Sequence, residues 1–154
     1  MLRSEISTAL KEAMKAKAEI ETATLRLILA ALKDRDIAAR SKGVSEPIDE
    51  EEILELLQKM VRQRREAIDL YVKGGRQDLA DREAAEIQII QRFLPKPLSD
   101  ADVESAVAAV IDELEASSIK DMGRVMTALK ERYAGRMDFG KAGNEVKKNL
   151  MKAG

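Results

Sequence analysis

Residues 49–75, DEEEILELLQKMVRQRREAIDLYVKGG, carry the signals that decide the fold. Asp49 stands where a helix N-cap belongs, with Glu52 three residues on, and a capping carboxylate accepts a backbone N–H at that spacing. Ile48 and Ile53 occupy the two positions of a hydrophobic staple. Glu50, Glu51 and Glu52 set negative charge at the positive end of the helix dipole. Ile53, Leu56, Leu57, Met60, Val61, Ile68 and Tyr71 then follow the period of a helix with one buried face. Gly74-Gly75 breaks the run. A second helical pattern, Leu79, Ile87, Ile90 and Leu94, reaches Phe93-Leu94. Two amphipathic helices around a two-glycine break predict an antiparallel hairpin.

The same period extends outward in both directions. Toward the N-terminus, Leu2 to about Lys17 reads as a helix with Ile6, Leu10 and Met14 on one face. About Ile20 to Arg40 reads as another, striped by Leu25, Ile28, Leu29 and Leu32 and widened by Leu27, Ala30 and Ala31. Toward the C-terminus, Pro95-Lys96-Pro97 interrupts, since neither proline fits a helix interior. Ser99 then caps a fifth helix, with Asp102 at N3 and a Leu98–Val103 staple. Val103, Val107, Val110, Ile111 and Leu114 form its stripe. Met122, Val125, Met126, Leu129 and Tyr133 mark a sixth helix, and Phe139, Gly143, Val146 and Leu150 a seventh. Met60, Met122 and Met126 fall on apolar stripes and read as core. The expected fold is all-α, with an N-terminal four-helix subdomain over 1–94 and a C-terminal three-helix subdomain over 98–154.

Composition narrows the function classes. The chain has 154 residues with neither Cys nor His. Disulfides, thiolate zinc sites, cysteine nucleophiles and His-based triads are excluded, and so is the usual general base near neutral pH. No catalytic residue, cofactor or metal site is expected, and an enzyme acting on its own is not. No run of about 18 uncharged apolar residues occurs, so no membrane span is expected. Met1-Leu2-Arg3-Ser4-Glu5 lacks the apolar region of a secretory signal, and the expected location is the cytoplasm.

Net charge is −1, but its distribution is uneven. Leu98 to Ile119 carries six acids and no bases. Lys120 to Gly154 carries nine bases and four acids, net +5. Such asymmetry bears on partners and not on fold. Lys120, Arg124, Thr127 and Glu131 are expected on one side of the sixth helix. Lys141, Glu145, Lys148 and Lys152 share the solvent face of the seventh, and Arg136 sits in the turn between them. Lys120, Arg124, Arg136, Lys141, Lys148 and Lys152 are therefore the candidate phosphate contacts. Spacing alone fits equally well a solvated face that balances the acidic fifth helix. Tyr133 and Phe139 lie on apolar stripes, leaving no platform for unpaired bases, so any RNA would be bound by shape and backbone.

The basic run Lys59 to Glu66 also looks like a nucleic-acid patch, with phosphate binding open for Arg62 and Arg65 and the alternative to a structural role for Arg64. Arg64 lies on the apolar stripe, and folding at Gly74-Gly75 brings it opposite Glu83–Glu86. A charge on a buried face needs a partner, so Arg64 is expected to pair with Glu83 or Glu86 and fix hairpin register. Arg62 and Arg65 point outward. The acidic run at Asp49–Glu52 fans out around a first turn and does not converge on a metal ion.

Leu25-Arg26-Leu27, Lys59 to Gly75, Asp78 to Pro95, and Lys120-Asp121-Met122-Gly123-Arg124-Val125-Met126 with Gly135-Arg136 resemble the GatB/YqeY family. The resemblance to free-standing YqeY-like proteins covers essentially the whole chain. The last third is similar to the tail domain of the B subunit of the glutamine-dependent aspartyl/glutamyl-tRNA amidotransferase. One departure stands in Gly135-Arg136-Met137-Asp138-Phe139-Gly140-Lys141. The amidotransferase tail usually runs Gly-Arg-x-Asp-Gly-Lys, so Phe139 shifts the expected helix start by a residue. The resemblance implies an all-helical protein of two subdomains, kin to a domain that approaches tRNA. Neither the ATP-using part of that enzyme nor its amidase signature has a counterpart here. Three readings follow: an accessory protein binding tRNA or structured RNA without catalysis; an adaptor docking on an amidotransferase or another protein; or a component of a carbon–nitrogen ligase with glutamine as amido-N-donor. DNA is not an expected partner.

Overall fold

In the computed structural model, which describes residues 1–153, every regular element is helical. The order is α1 (Leu2–Lys15), α2 (Glu19–Ser41), α3 (Glu50–Lys73), α4 (Gln77–Gln91), α5 (Asp100–Glu113), a 3-10 turn (Ile119–Asp121), α6 (Met122–Tyr133) and α7 (Phe139–Ala153). The protein is all-α, and Gly154, the last residue of the expected second subdomain, lies outside the described residues. The chain divides into two compact units, Met1–Pro95 and Lys96–Gly154.

The first unit is built on the α3–α4 hairpin. The Asp49 carboxylate accepts the Glu52 N–H at 2.9 Å, which satisfies one of the orphan donors of the first turn. Ile48 and Ile53 are both buried in the core beside it. At the other end the Arg76 N–H bonds to the Tyr71 carbonyl at 2.8 Å, and Gly75 takes a left-handed φ of +73° that an L side chain resists. The two helices then lie together with Leu56, Leu57, Met60 and Val61 against Ile87, Ile89 and Ile90. Leu25, Ile28 and Leu32 of α2 and Ile6 of α1 complete this core. Arg3 and Asp36 join α1 to α2 at 2.6 Å, and Asp36 also accepts the Ile48 N–H at 2.9 Å.

Three expected core positions, Met14, Leu27 and Ala30, face water. Met14 is 49% exposed, and Ala13 is buried in its place. Steps of four residues from Ile6 drift by about 40° each around a helix, whereas Ala13, seven residues on, returns to within about 20° of Ile6. Leu27 is 48% exposed because it lies about 100° from Ile28, past the edge of the covered arc.

The second unit packs α5, α6 and α7 around Val107, Val110, Val125, Leu129, Val146 and Leu150. The Ser99 hydroxyl accepts the Asp102 N–H at 3.1 Å and starts α5. Before α6 the chain tightens into the 3-10 turn. The Asp121 carboxylate takes the N–H groups of Ser117 at 3.0 Å and Ser118 at 3.3 Å, and a capping box with Ser118 is complete. α7 begins at Phe139, one residue after Asp138, whose carboxylate accepts the Gly140 N–H at 2.9 Å and the Lys141 N–H at 3.3 Å. Met137, in the turn before it, is 1% exposed.

Leu25→Ala removes a fully buried side chain and is expected to lower the free energy of unfolding by about 2–5 kcal/mol. Leu27→Ala, two residues away, is expected to change it by less than about 0.5 kcal/mol. Urea denaturation of both variants, read by helical circular dichroism, checks the pair.

Candidate functional site

The six cations expected to contact phosphate fall into two classes. Lys120 is exposed on the 3-10 turn, not on the sixth helix as its spacing suggested, because Asp121 bends the backbone there. Lys141, Lys148 and Lys152 are exposed on α7. Lys148 returns to within about 20° of Lys141 around the helix, and Lys152 adds about 40°, so the three share a face. The 3-10 turn packs against α7, which sets the segment carrying Lys120 beside that helix.

The two arginines are committed within the unit. Arg124 donates to the Asp121 carboxylate at 2.8 Å and reaches the Leu114 carbonyl at 3.5 Å. The Arg124 guanidinium, followed by the N–H groups of Ser117 and Ser118, holds the Asp121 carboxyl below its ordinary range. Arg136 is half-buried. Its Nε donates to the Lys96 carbonyl at 3.1 Å, while its own carbonyl accepts the Leu98 N–H at 2.9 Å. It clips the segment that leads into α5 onto the α6–α7 turn. Both residues brace the domain that displays the lysines.

An open groove of about 460 Å³ runs beside Arg124, lined by Leu114, Gly123, Arg124, Thr127, Ala128 and Glu131. Two of its polar side chains already have partners: the Thr127 hydroxyl donates to the Gly123 carbonyl at 2.9 Å, and Arg124 holds Asp121. The acidic α5 is partly balanced from α6, where Arg132 meets Glu113 at 2.7 Å. That hydrogen bond and the charge of Arg132 hold the Glu113 carboxyl below its usual range.

In the first unit, Arg64 of α3 lies between two carboxylates of α4. Its Nε is 3.1 Å from Glu86 and 3.8 Å from Glu83, and its Nη1 donates to the Met60 carbonyl at 3.2 Å. The side chains are 15%, 10% and 23% exposed for Arg64, Glu86 and Glu83, so the contact is largely withdrawn from water. Arg82 approaches the other oxygen of Glu86 at 3.6 Å. The sequence reading missed Arg82, although its i, i+4 spacing to Glu86 was the available signal. Burial, then the charge of Glu86, pushes the Glu83 carboxyl up, against the pull of Arg64. Arg62 and Arg65 are exposed. The arrangement locks two helices and offers no convergent donors for an external phosphate.

Comparison with known proteins places this geometry in context. A family model described as "Yqey-like protein" matches residues 3–150. The protein named "Altered inheritance of mitochondria protein 41, mitochondrial" from Eremothecium gossypii is 37% identical over 110 residues, covering 70% of this chain and 58% of that protein. The protein of the same name from Lachancea thermotolerans is 34% identical over 111 residues, covering 71% and 57%. That from Saccharomyces cerevisiae is 31% identical over 108 residues, covering 69% and 56%. The chain thus spans little more than half the length of these curated relatives. The expected cytoplasmic location is corrected by these names, all of which are mitochondrial. That expectation rests on the lack of a long apolar run and of an apolar secretory segment. A mitochondrial address is amphipathic and poor in acids, and neither criterion detects it.

Arg64→Met strands two carboxylates and is expected to cost about 3 kcal/mol in urea denaturation, with Glu86→Met in the same chain recovering most of the loss. A single variant as stable as the parent contradicts the pairing. Glu83 supplies a pH test. A raised carboxyl pKa means the folded state favours the protonated form. The penalty is absent below the unfolded pKa and grows as pH rises through the folded one. Glu83→Gln is therefore expected to melt no lower than the parent at neutral pH, with the difference between the two shrinking as the solution is acidified.

Proposed function

The chain belongs to the YqeY-like protein family, and from that premise we propose that it is a non-catalytic accessory protein that binds tRNA or structured RNA through the lysines of its second unit. The observation that carries this reading is the set of exposed lysines, Lys120, Lys141, Lys148 and Lys152, in a segment of net charge +5. Ammonium groups on a flexible stem are suited to phosphate contact, where they release condensed counterions without reading sequence. The aromatic residues of this unit argue against single strands. Tyr133 and Phe139 are half-buried and packed on the core, so their rings are engaged by the fold and not set out as a stacking platform. A backbone-directed mode on a folded or duplex RNA fits that set. The absence of His and Cys from the chain supports a binding role over a catalytic one.

Arg124 and Arg136 enter this reading as braces. Their guanidinium groups hold the 3-10 turn and the segment at Lys96–Leu98, so their loss acts on the unit before it acts on any ligand.

Fluorescence anisotropy with labelled tRNA, at a series of salt concentrations, tests the proposal. The parent chain is expected to bind with an affinity that falls steeply with salt. Replacing Lys120, Lys141, Lys148 and Lys152 together by Glu is expected to weaken binding at least about tenfold and to flatten the salt slope by roughly 0.7–0.9 for each phosphate that the variant no longer neutralises. Absence of binding at low salt, or a quadruple variant that binds like the parent, overturns it.

A further inference from the structure

α2 is covered on one flank only. Leu25, Ile28 and Leu32 face the core of the first unit, while Ile20, Leu27 and Ile37 are 38%, 48% and 51% exposed. Ala30 is exposed and Ala23 half-buried on the same flank. Residues 20, 23, 27, 30, 34 and 37 alternate steps of three and four, the seam of a two-stranded coiled coil. Only Asp34 interrupts its apolar character. The seam runs for about 25 Å along the helix. The core of the first unit does not use it.

We propose that this flank of α2 pairs antiparallel with the same flank of a second copy of the chain. The pattern is self-complementary in one register. Placing Ile20 against Ile37 of the second copy also sets Leu27 against Ala30 and Ala23 against Asp34, and the two-fold axis repeats each layer. In the central layers Leu27 meets Ala30, a large side chain against a small one, which lets the helices approach closely there, while Ile20 and Ile37 meet at the two ends.

Charge selects the direction. Glu19, Arg26, Lys33 and Arg40 recur every seven residues along one edge of the seam. In the antiparallel pair Glu19 comes opposite Arg40 of the second copy, and Asp34 lies within a turn of Arg26 of the second copy. Both contacts occur twice. A parallel pair in register instead stacks Asp34 on Asp34 inside the seam, where like charges are costly. At the same rim Lys33 approaches Arg26 of the second copy, which offsets the Glu19–Arg40 attraction because all four charges are exposed and screened alike. The direction therefore rests on Asp34, which the antiparallel pair sets near Arg26 and keeps away from Asp34 of the second copy. One helix face per copy buries less than a standard interface of roughly 1,600 Å², so the dimer is weak, with a dissociation constant on the order of micromolar.

The chain contains no cysteine, so an introduced thiol is the only one present. Ile20→Cys and Ile37→Cys are prepared separately, mixed and mildly oxidised. The mixture is expected to give a disulfide-linked dimer of one copy of each, and each variant alone is expected to stay largely uncrosslinked. Like positions on the two copies lie about 25 Å apart in this register, far beyond the roughly 7 Å that a disulfide spans between Cα atoms. No mixed product, or equal crosslinking of the single variants, overturns the proposal. In sedimentation velocity, Leu27→Lys is expected to shift the parent's concentration-dependent dimer to monomer while the thermal melt stays that of the parent. A parent that remains monomeric at millimolar concentration, or a dimer indifferent to Leu27→Lys, overturns it as well.

Discussion

Arg64 projects from the apolar face of α3, where a guanidinium is expensive to hold unless carboxylates meet it, and Glu86 and Glu83 of α4 meet it. The consequence is register. A slip of α4 by one turn along α3 would strand the arginine and both acids among Met60, Ile87 and Ile90, at a cost of several kcal/mol. Apolar packing alone tolerates such slips more readily, because one leucine can stand in for another. The pair therefore specifies the hairpin, and α1 and α2 complete a core whose main wall that hairpin supplies. Glu83 carries the strain of the arrangement, since burial and the charge of Glu86 both oppose its ionisation.

A related economy governs the second unit. Its arginines serve the fold and its lysines are left to solvent. Arg124 and Arg136 each reach a backbone carbonyl or a capping carboxylate, contacts that a planar fork of fixed donors makes well. Lys120, Lys141, Lys148 and Lys152 stay exposed around the same braces. Charge that looks uniform along residues 120–154 is thus divided into an internal part and an outward part.

The starts of α3 and α5 were legible because they depend on local chemistry. Asp49 with Glu52, and Ser99 with Asp102, cap α3 and α5 by contacts that span three residues. The Gly74-Gly75 break was legible for the same reason. The 3-10 turn at Ile119–Asp121 was not read, although Ser118 and Asp121 stand at capping-box spacing, because a three-residue turn is too short to show a period of its own. Met137 gave no periodic signal at all. It is a buried residue in a turn, and periodicity speaks only for residues inside an element. Of the candidate site, the lysine face of α7 could be drawn from spacing, and the Arg124–Asp121 pair stands at i, i+3, whereas the contact of Arg136 with Lys96, forty residues away, could not.

The sequence by itself determined the helical class, the places where helices begin and break, and the angular position of each side chain about its own helix axis. It also carried the family. The tertiary structure decided which faces are covered and which charges are already taken: Met14 and Leu27 turn to water, Arg64 meets Glu86 across the hairpin, and Arg136 clips Lys96 forty residues away. The physical reason is that a repeat of 3.6 residues fixes an angle around one helix, while burial and pairing depend on which other helix arrives at that angle.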